Sequence, residues 1–329
     1  MFPPTQCAPE GRWKRWRDRP LRRAMGPAAL DSINRASPST CRTKTILHPP
    51  TGSISAYKIN PLSGALTTVP GSPYVEGSSP YAVAVDPLAG KFVYVANIFT
   101  NDVTGYKIDQ QTGSLTAVAG SPFSSCCQPE SIVVDPLGRF VFVPNTETNN
   151  ITAFTINPTS GTLTQVAGSP FGSGTTPNSA AVDPTGSFLY VTNPNSSDIT
   201  GYAINQSSGA LTPLAGSPFT GCGIPVAVAI DPSGRFAYAA INLKGICAFA
   251  IDSNSGKLTK VHGSPFGAGS SPVRLTVDLR DKYVYVSDSA ANGIRAFAMD
   301  PCSGALTEVA GSPFAAGTGP TGVAVWGSH

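Results

Sequence analysis

Charge is scarce in this chain. Lys, Arg, Asp and Glu make up 12% of its 329 residues, and the histidines number three, His48, His262 and His329. General-base chemistry wants a histidine or a carboxylate of suitable pKa, and each of these histidines reads as incidental to its position. The seven cysteines, Cys7, Cys41, Cys126, Cys127, Cys222, Cys247 and Cys302, form no Cys-x-x-Cys pair and no Cys/His metal spacing, which argues against a zinc site. They are expected to be reduced. Asp102, Asp198 and Asp288 fall in separate loops without an Asp-x-Asp run, so calcium has little support and no metal is expected. No glycine-rich phosphate loop opens a helix and no Gly-x-Ser-x-Gly elbow occurs, so no cofactor is expected. Nor is any apolar run long enough to span a bilayer. The stretch Ala24 to Leu30 is broken by Gly26 and Pro27 and is too short for a secretory signal.

Basic charge is also missing where a nucleic-acid binder would need it. Residues 1–50 hold ten of the 22 basic and three of the 19 acidic residues, a balance of +7, which leaves 12 against 16, or −4, for the rest. No basic stripe follows residue 50, so nucleic acid is not an expected partner. Residues 1–42, with Trp13 and Trp16 among arginines and prolines, show neither strand alternation nor a helical stripe. They read as a basic extension, disordered or arising from a misassigned start. Residues 43–329 read as one domain.

What is abundant is Gly, at 34 residues, and Pro, at 31, the composition of short strands and many turns. Gly-Ser-Pro-Phe, or its Tyr variant, begins at Gly71, Gly120, Gly168, Gly216, Gly263 and Gly311, at gaps of 49, 48, 48, 47 and 48 residues. A period near 48 marks supersecondary units that are stable only when stacked. In residues 177–219, Ser179 to Val182 is short and apolar, and Asp183-Pro184-Thr185-Gly186 has type I turn chemistry. Phe188 to Asn193 is aromatic and β-branched, Ile199 to Ile204 alternates, and Ala210 to Ala215 runs into Gly-Ser-Pro-Phe, which ends the outer strand. Four antiparallel strands per period, packed around an axis, predict an all-β propeller. A parallel β-solenoid is the runner-up, since its coils lack three successive hairpin turns. Pro320 to Trp326 supplies a first strand and residues 53–73 a third and fourth, with Thr43 to His48 in second-strand register. Six blades closed by this composite N-/C-terminal blade are therefore counted, with a seventh left open.

Tyr190-Val191-Thr192-Asn193, its variants at Tyr94 to Asn97, Phe142 to Asn145 and Tyr285 to Asp288, and the Asp-Pro-x-Gly and Ser-Gly-x-Leu-Thr segments carry a family resemblance. The chain resembles the YVTN-repeat β-propellers and the wider lactonase family that includes 6-phosphogluconolactonases, over roughly residues 43–329. The resemblance implies a seven-bladed form as the common one, an extracytoplasmic location, and hydrolysis of a sugar lactone in the central channel without a cofactor. Such an enzyme would be a carboxylic ester hydrolase.

Residues common to every blade build the blade, so function is sought where the copies differ. First strands line the channel of a propeller, and each here follows Pro80, Pro129, Pro177, Pro225, Pro272 or Pro320. The next two positions are mostly neutral but hold Glu130 in one blade and Arg274 in another. A carboxylate and a guanidinium three blades apart could flank a small ligand, activating water and anchoring an anion. Tyr81, Asn178, Ser131, Ser179 and Thr321 are the candidate ligand contacts at the equivalent positions. Cys126, Cys127, Gln128, Glu147, Lys244 and Asp288 in the neighbouring loops fit ordinary surface. Two readings follow. One is a binding propeller, a monomer taking a small molecule, carbohydrate or protein partner at the channel mouth; the other is a sugar-lactone hydrolase.

Overall fold

In this computed structural model the described residues are 42–48, 52–60, 62–75, 79–269 and 271–325. Apart from Arg42, the extension at 1–42 lies outside them, as do the side chains of His48 and Trp326.

The described residues form six antiparallel sheets in chain order, which are the blades of a propeller. Blade 1 is built from Arg42–His48, Ser53–Ile59, Leu66–Thr68 and Tyr74–Val75. Blade 4 shows the plan most simply, with strands Ser179–Val182, Phe188–Asn193, Asp198–Ile204 and Leu211–Pro213 from the centre outward. The first strands of blades 2 to 6 begin at Pro80, Val133, Ser179, Pro225 and Pro272, and successive ones are neighbours around the axis. Arg42–His48 packs beside the first strand of blade 2, as the second strands of blades 3, 4 and 5 do beside theirs, so it holds a second-strand place. Residues 320–325 carry no strand ladder, yet Gly322, Val323 and Val325 line the central channel with the first strands of the other blades.

The second strands of blades 2 to 5 are buried on both faces, which explains their near-continuous apolar sequence. Phe188 and Tyr190 pack toward blade 5, and Leu189 and Val191, on the opposite face of the pleat, pack toward blade 3. Burial of each such side chain contributes roughly 1.5–3 kcal/mol. Tyr190 also locks two blades together, because its hydroxyl donates to Gly256 O at 2.6 Å. Tyr94 and Tyr238 donate in the same way to Gly161 O and Gly304 O.

The Gly-Ser-Pro-Phe motif does not simply end the outer strand; it interrupts it. In blade 2, Leu115–Ala117 pairs with the far end of third strand Asp102–Ile108, and Phe123–Ser124 pairs with its beginning. Between them Gly120 sits at φ 84° and the Ser121-Pro122 bond is cis. The break leaves a third-strand N–H without a ladder partner, and the motif's serine accepts it. Gly105 N–H donates to Ser121 Oγ at 3.0 Å, and the same bond recurs from Ala56 to Ser72, Ala153 to Ser169, Gly201 to Ser217, Ala248 to Ser264 and Ala296 to Ser312. A buried unpaired N–H is costly, so the serine belongs to the scaffold.

The turn carboxylates are scaffold as well. Asp183 accepts the N–H groups of Ser187 and Phe188, both at 2.6 Å, and Asp231 accepts that of Phe236 at 2.7 Å.

Three cysteines depart from the reduced state expected of them: Cys302 is disulfide-bonded, and Cys222 and Cys247 form a disulfide across a Cα–Cα distance of 6.1 Å. The repeat alignment compares Cys222 with Cys126, whereas its partner comes from the following blade's third strand, where the chain returns beside the loop. Cys126 and Cys127 are free.

Candidate functional site

The channel mouth is shaped by how first strands begin. In blades 2, 5 and 6 the pairing with the second strand slips by one residue after the proline, between Pro80 and Ala82, Pro225 and Ala227, and Pro272 and Arg274. Tyr81, Val226 and Val273 are the extra residues, and such bulges re-aim the side chain that follows. Arg274 is thereby turned onto the channel wall. Its N–H donates to Ser287 Oγ at 3.1 Å, and its Nη1 donates to two bulge carbonyls, Val226 O at 3.4 Å and Val273 O at 3.3 Å. Arg274 takes part in none of the ion pairs among the described residues.

Glu130 is carried by the loop entering blade 3. That loop is pinned on both sides: Ser125 and Gln128 donate backbone N–H groups to Asn101 O at 3.0 Å and Asn101 Oδ1 at 2.7 Å, and Gln128 O accepts from Thr146 N–H at 3.0 Å. Gln128 itself has φ 55°. Among the described residues the Glu130 side chain makes no hydrogen bond, and it is half-buried. Burial pushes its carboxyl pKa up, and the positive charge of Arg274 partly offsets that rise. The two ionisable departures from the repeat thus act on one another through space.

The other predicted contacts are spread around the ring. Tyr81 is 48% exposed, Thr321 is exposed and Ser131 is half-buried. Asn178 Oδ1 accepts from Thr192 Oγ1 at 2.9 Å. Ser179 is buried, and its Oγ accepts Val228 N–H of the next first strand at 3.3 Å, so this hydroxyl ties two channel strands together. His262 is exposed on the outer edge.

Below the mouth the channel encloses about 230 Å³, and its wall is almost wholly aliphatic. Val83, Ile132, Ala180, Ala227, Leu275 and Val323 represent the six contributing segments. Arg274 is the one polar side chain on that wall among the described residues. Sequence reasoning missed this lining because it looked for polar departures, although the small apolar residues after each proline already signalled it.

Asp288 corrects its placement on ordinary surface: it is 1% exposed and ion-paired with Arg295 at 3.1 Å. In the loop before Glu130, Cys126 Sγ and Cys127 Sγ lie 3.9 Å apart, and Thr148 Oγ1 donates to Cys126 Sγ at 3.2 Å. Burial raises the Cys126 thiol pKa, but hydrogen bonds from Thr148, Cys127 and Asn150 outweigh it and the net shift is downward. Among the described residues no group of three or more His, Cys, Asp or Glu side chains could hold a metal ion. Nor is any helix there long and apolar enough to cross a membrane.

The sequence matches the family described as "Lactonase, 7-bladed beta-propeller" over residues 39–125, 121–226 and 216–324. Among solved structures, the periplasmic gluconolactonase of Pseudomonas aeruginosa is similar at 22% identity and TM-score 0.67, covering 81% of this chain and 78% of that one. A protein from Lactobacillus plantarum is similar at 19% identity and TM-score 0.66, covering 86% and 84%. A candidate 6-phosphogluconolactonase from Bacteroides uniformis follows at 16% and 0.57, covering 86% and 98%. At these identities the likeness is one of fold. No curated protein matches. The family is described as seven-bladed, whereas the described residues of this chain make six blades.

Proposed function

This chain belongs to the lactonase family of β-propellers, and from that premise we propose that it binds a small organic molecule bearing a carbonyl or anionic group at the channel mouth, between Glu130 and Arg274. The observation that carries this reading is the electrostatic coupling of those two residues, the ionisable side chains at otherwise neutral positions of the repeat. The guanidinium, steadied by Val226 O and Val273 O, takes the ligand's oxygen. Tyr81, Asn178, Ser131 and Thr321 complete the rim, and the buried Ser179 ties two of its strands together. Titration calorimetry with gluconate and glucono-1,5-lactone tests it: at least one should bind, and Arg274→Ala should weaken it about tenfold or more. Binding unchanged by that substitution, or binding of neither compound, overturns the assignment.

A second reading, hydrolysis of a sugar lactone, is favoured by the raised carboxyl of Glu130, because a base works best when its pKa approaches the operating pH. Glu130 would take a proton from water as the oxygen adds to the lactone carbonyl, with Arg274 stabilising the oxyanion. The ring C–O bond then breaks, and Glu130 returns the proton to the leaving alkoxide, giving the hydroxy acid. Turnover of 6-phosphogluconolactone or an unphosphorylated lactone well above spontaneous hydrolysis, and lost in Glu130→Gln, supports this reading; no turnover with either removes it.

A further inference from the structure

The channel behind the mouth is poorly matched to a sugar. A polyol asks for hydrogen-bond partners along its length, and burying its hydroxyls without them is costly. Yet the side chains on the wall are Val, Ala, Ile, Leu and Pro, with Arg274 alone polar among the described residues. The carboxylates of the Asp-Pro turns do not change this, since those of Asp183 and Asp231 accept backbone N–H groups of their own turns. At about 230 Å³, the channel is smaller than the roughly 300–1,000 Å³ of drug-sized pockets and suits one slender chain.

Arg274 stands at the head of this space with a guanidinium only partly used. Nη1 is engaged by the carbonyls of Val226 and Val273, while Nε and Nη2 make no hydrogen bond among the described residues. That leaves two N–H-bearing nitrogens of the fork, the arrangement that receives a carboxylate through two parallel hydrogen bonds. One cation capping an aliphatic channel has the polarity of an amphiphile. We propose that the channel binds an unbranched aliphatic carboxylate, its carboxylate on Arg274 and its alkyl chain running down the wall past Ile132, Leu275 and Val323. This deepens the ligand reading of the mouth and rests on it for the role of Arg274. Glu130 opposes such a ligand when ionised, since it brings a second negative charge to the same cation.

The test is a calorimetric titration of the full chain with straight-chain carboxylates from four to twelve carbons, alongside gluconate and glucono-1,5-lactone. Each added methylene should tighten binding about fourfold until the channel is filled. Arg274→Ala should weaken every member of the series about tenfold or more. Glu130→Gln at pH 8 should tighten the series, whereas a residue that only built the loop would not give that gain. Val323→Phe, on a segment outside the strand ladders, should narrow the channel and flatten the chain-length dependence, with circular dichroism verifying the fold. No chain-length dependence, while gluconate or its lactone still binds through Arg274, overturns the amphiphile proposal and leaves the mouth standing. A series that tightens with length but ignores Arg274→Ala overturns the head-group assignment, and binding of none of these compounds overturns both readings.

Discussion

Asp288 and Arg295, joined by an ion pair of 3.1 Å, occupy the two positions at which blade 4 holds Asn193 and Thr200. There the Asn193 amide donates to Thr200 Oγ1 at 2.7 Å, and both sites lie across the same hairpin between second and third strands. The neutral pair of one blade has been exchanged for a charged pair in another. Blade 5 solves the same place differently, with Ile241 and Cys247, the latter bonded to Cys222.

Breaking the charged pair on one side strands a buried carboxylate. Arg295→Thr should destabilise the protein by about 3–5 kcal/mol, measured by urea unfolding. Adding Asp288→Asn, which restores the Asn/Thr pair of blade 4, should recover most of that loss. Additive losses in the double variant would show that the two positions do not act as a unit.

The blade-to-blade lock gives a second expectation. Tyr190→Phe leaves Gly256 O without its 2.6 Å donor and should cost about 1–3 kcal/mol. Gly256→Ala should cost about 2–4 kcal/mol, because Gly256 has φ 68° and an added Cβ would meet the Phe188 ring at 2.5 Å. Thermal melts of both variants check this, and an unshifted Tm for Gly256→Ala would refute the close approach.

Asp281 should make stability depend on pH. Its carboxyl is pushed up to about 6, first by burial and then by the charge of Asp231, with Asp278 adding to the rise and Arg235 and the Ser233 backbone opposing it. Its Oδ1 is buried without a hydrogen bond. A raised carboxyl pKa gives a contribution that is fully present below the ordinary value of 3.8 and lost as pH rises through about 6. Asp281→Asn should therefore be more stable than the wild type at pH 8 by about 1 kcal/mol, after allowing for solvent screening at this half-exposed site. The difference should vanish near pH 4; unfolding curves at both values decide it.

The cysteines divide into two classes. In the native protein Cys126 and Cys127 should react with a thiol reagent while Cys222 and Cys247 do not, as peptide mapping will read. Cys247→Ala opens a bridge of sequence separation 25 and should cost about 3 kcal/mol on the chain-entropy account. Reaction of Cys222 without prior reduction would contradict the bridge.

Much of the fold was legible because each blade repeats the local chemistry that specifies it. Ser179–Val182 and Phe188–Asn193 are strands at the limits expected, and Asp183 to Gly186 closes its turn with Gly186 N–H donating to Asp183 O at 2.9 Å. The split in the outer strand was not legible, because it depends on a serine sixteen residues away accepting the N–H of Gly105 or its counterparts. Asp288 was misjudged for a similar reason: a carboxylate in a polar loop looks solvated until its arginine partner is seen. The repeat alignment did isolate Glu130 and Arg274 as the ionisable exceptions.

The sequence by itself determined the period and the strand order within a blade, since turn residues and apolar alternation act over a few residues. Only the tertiary structure decided which departures meet. The bulge before Arg274, the carbonyls of Val226 and Val273 that hold it, its action on the half-buried carboxyl of Glu130 and the aliphatic wall beneath all require chains distant in sequence to close into a ring. Charge and burial are properties of that closed ring, and no single blade contains them.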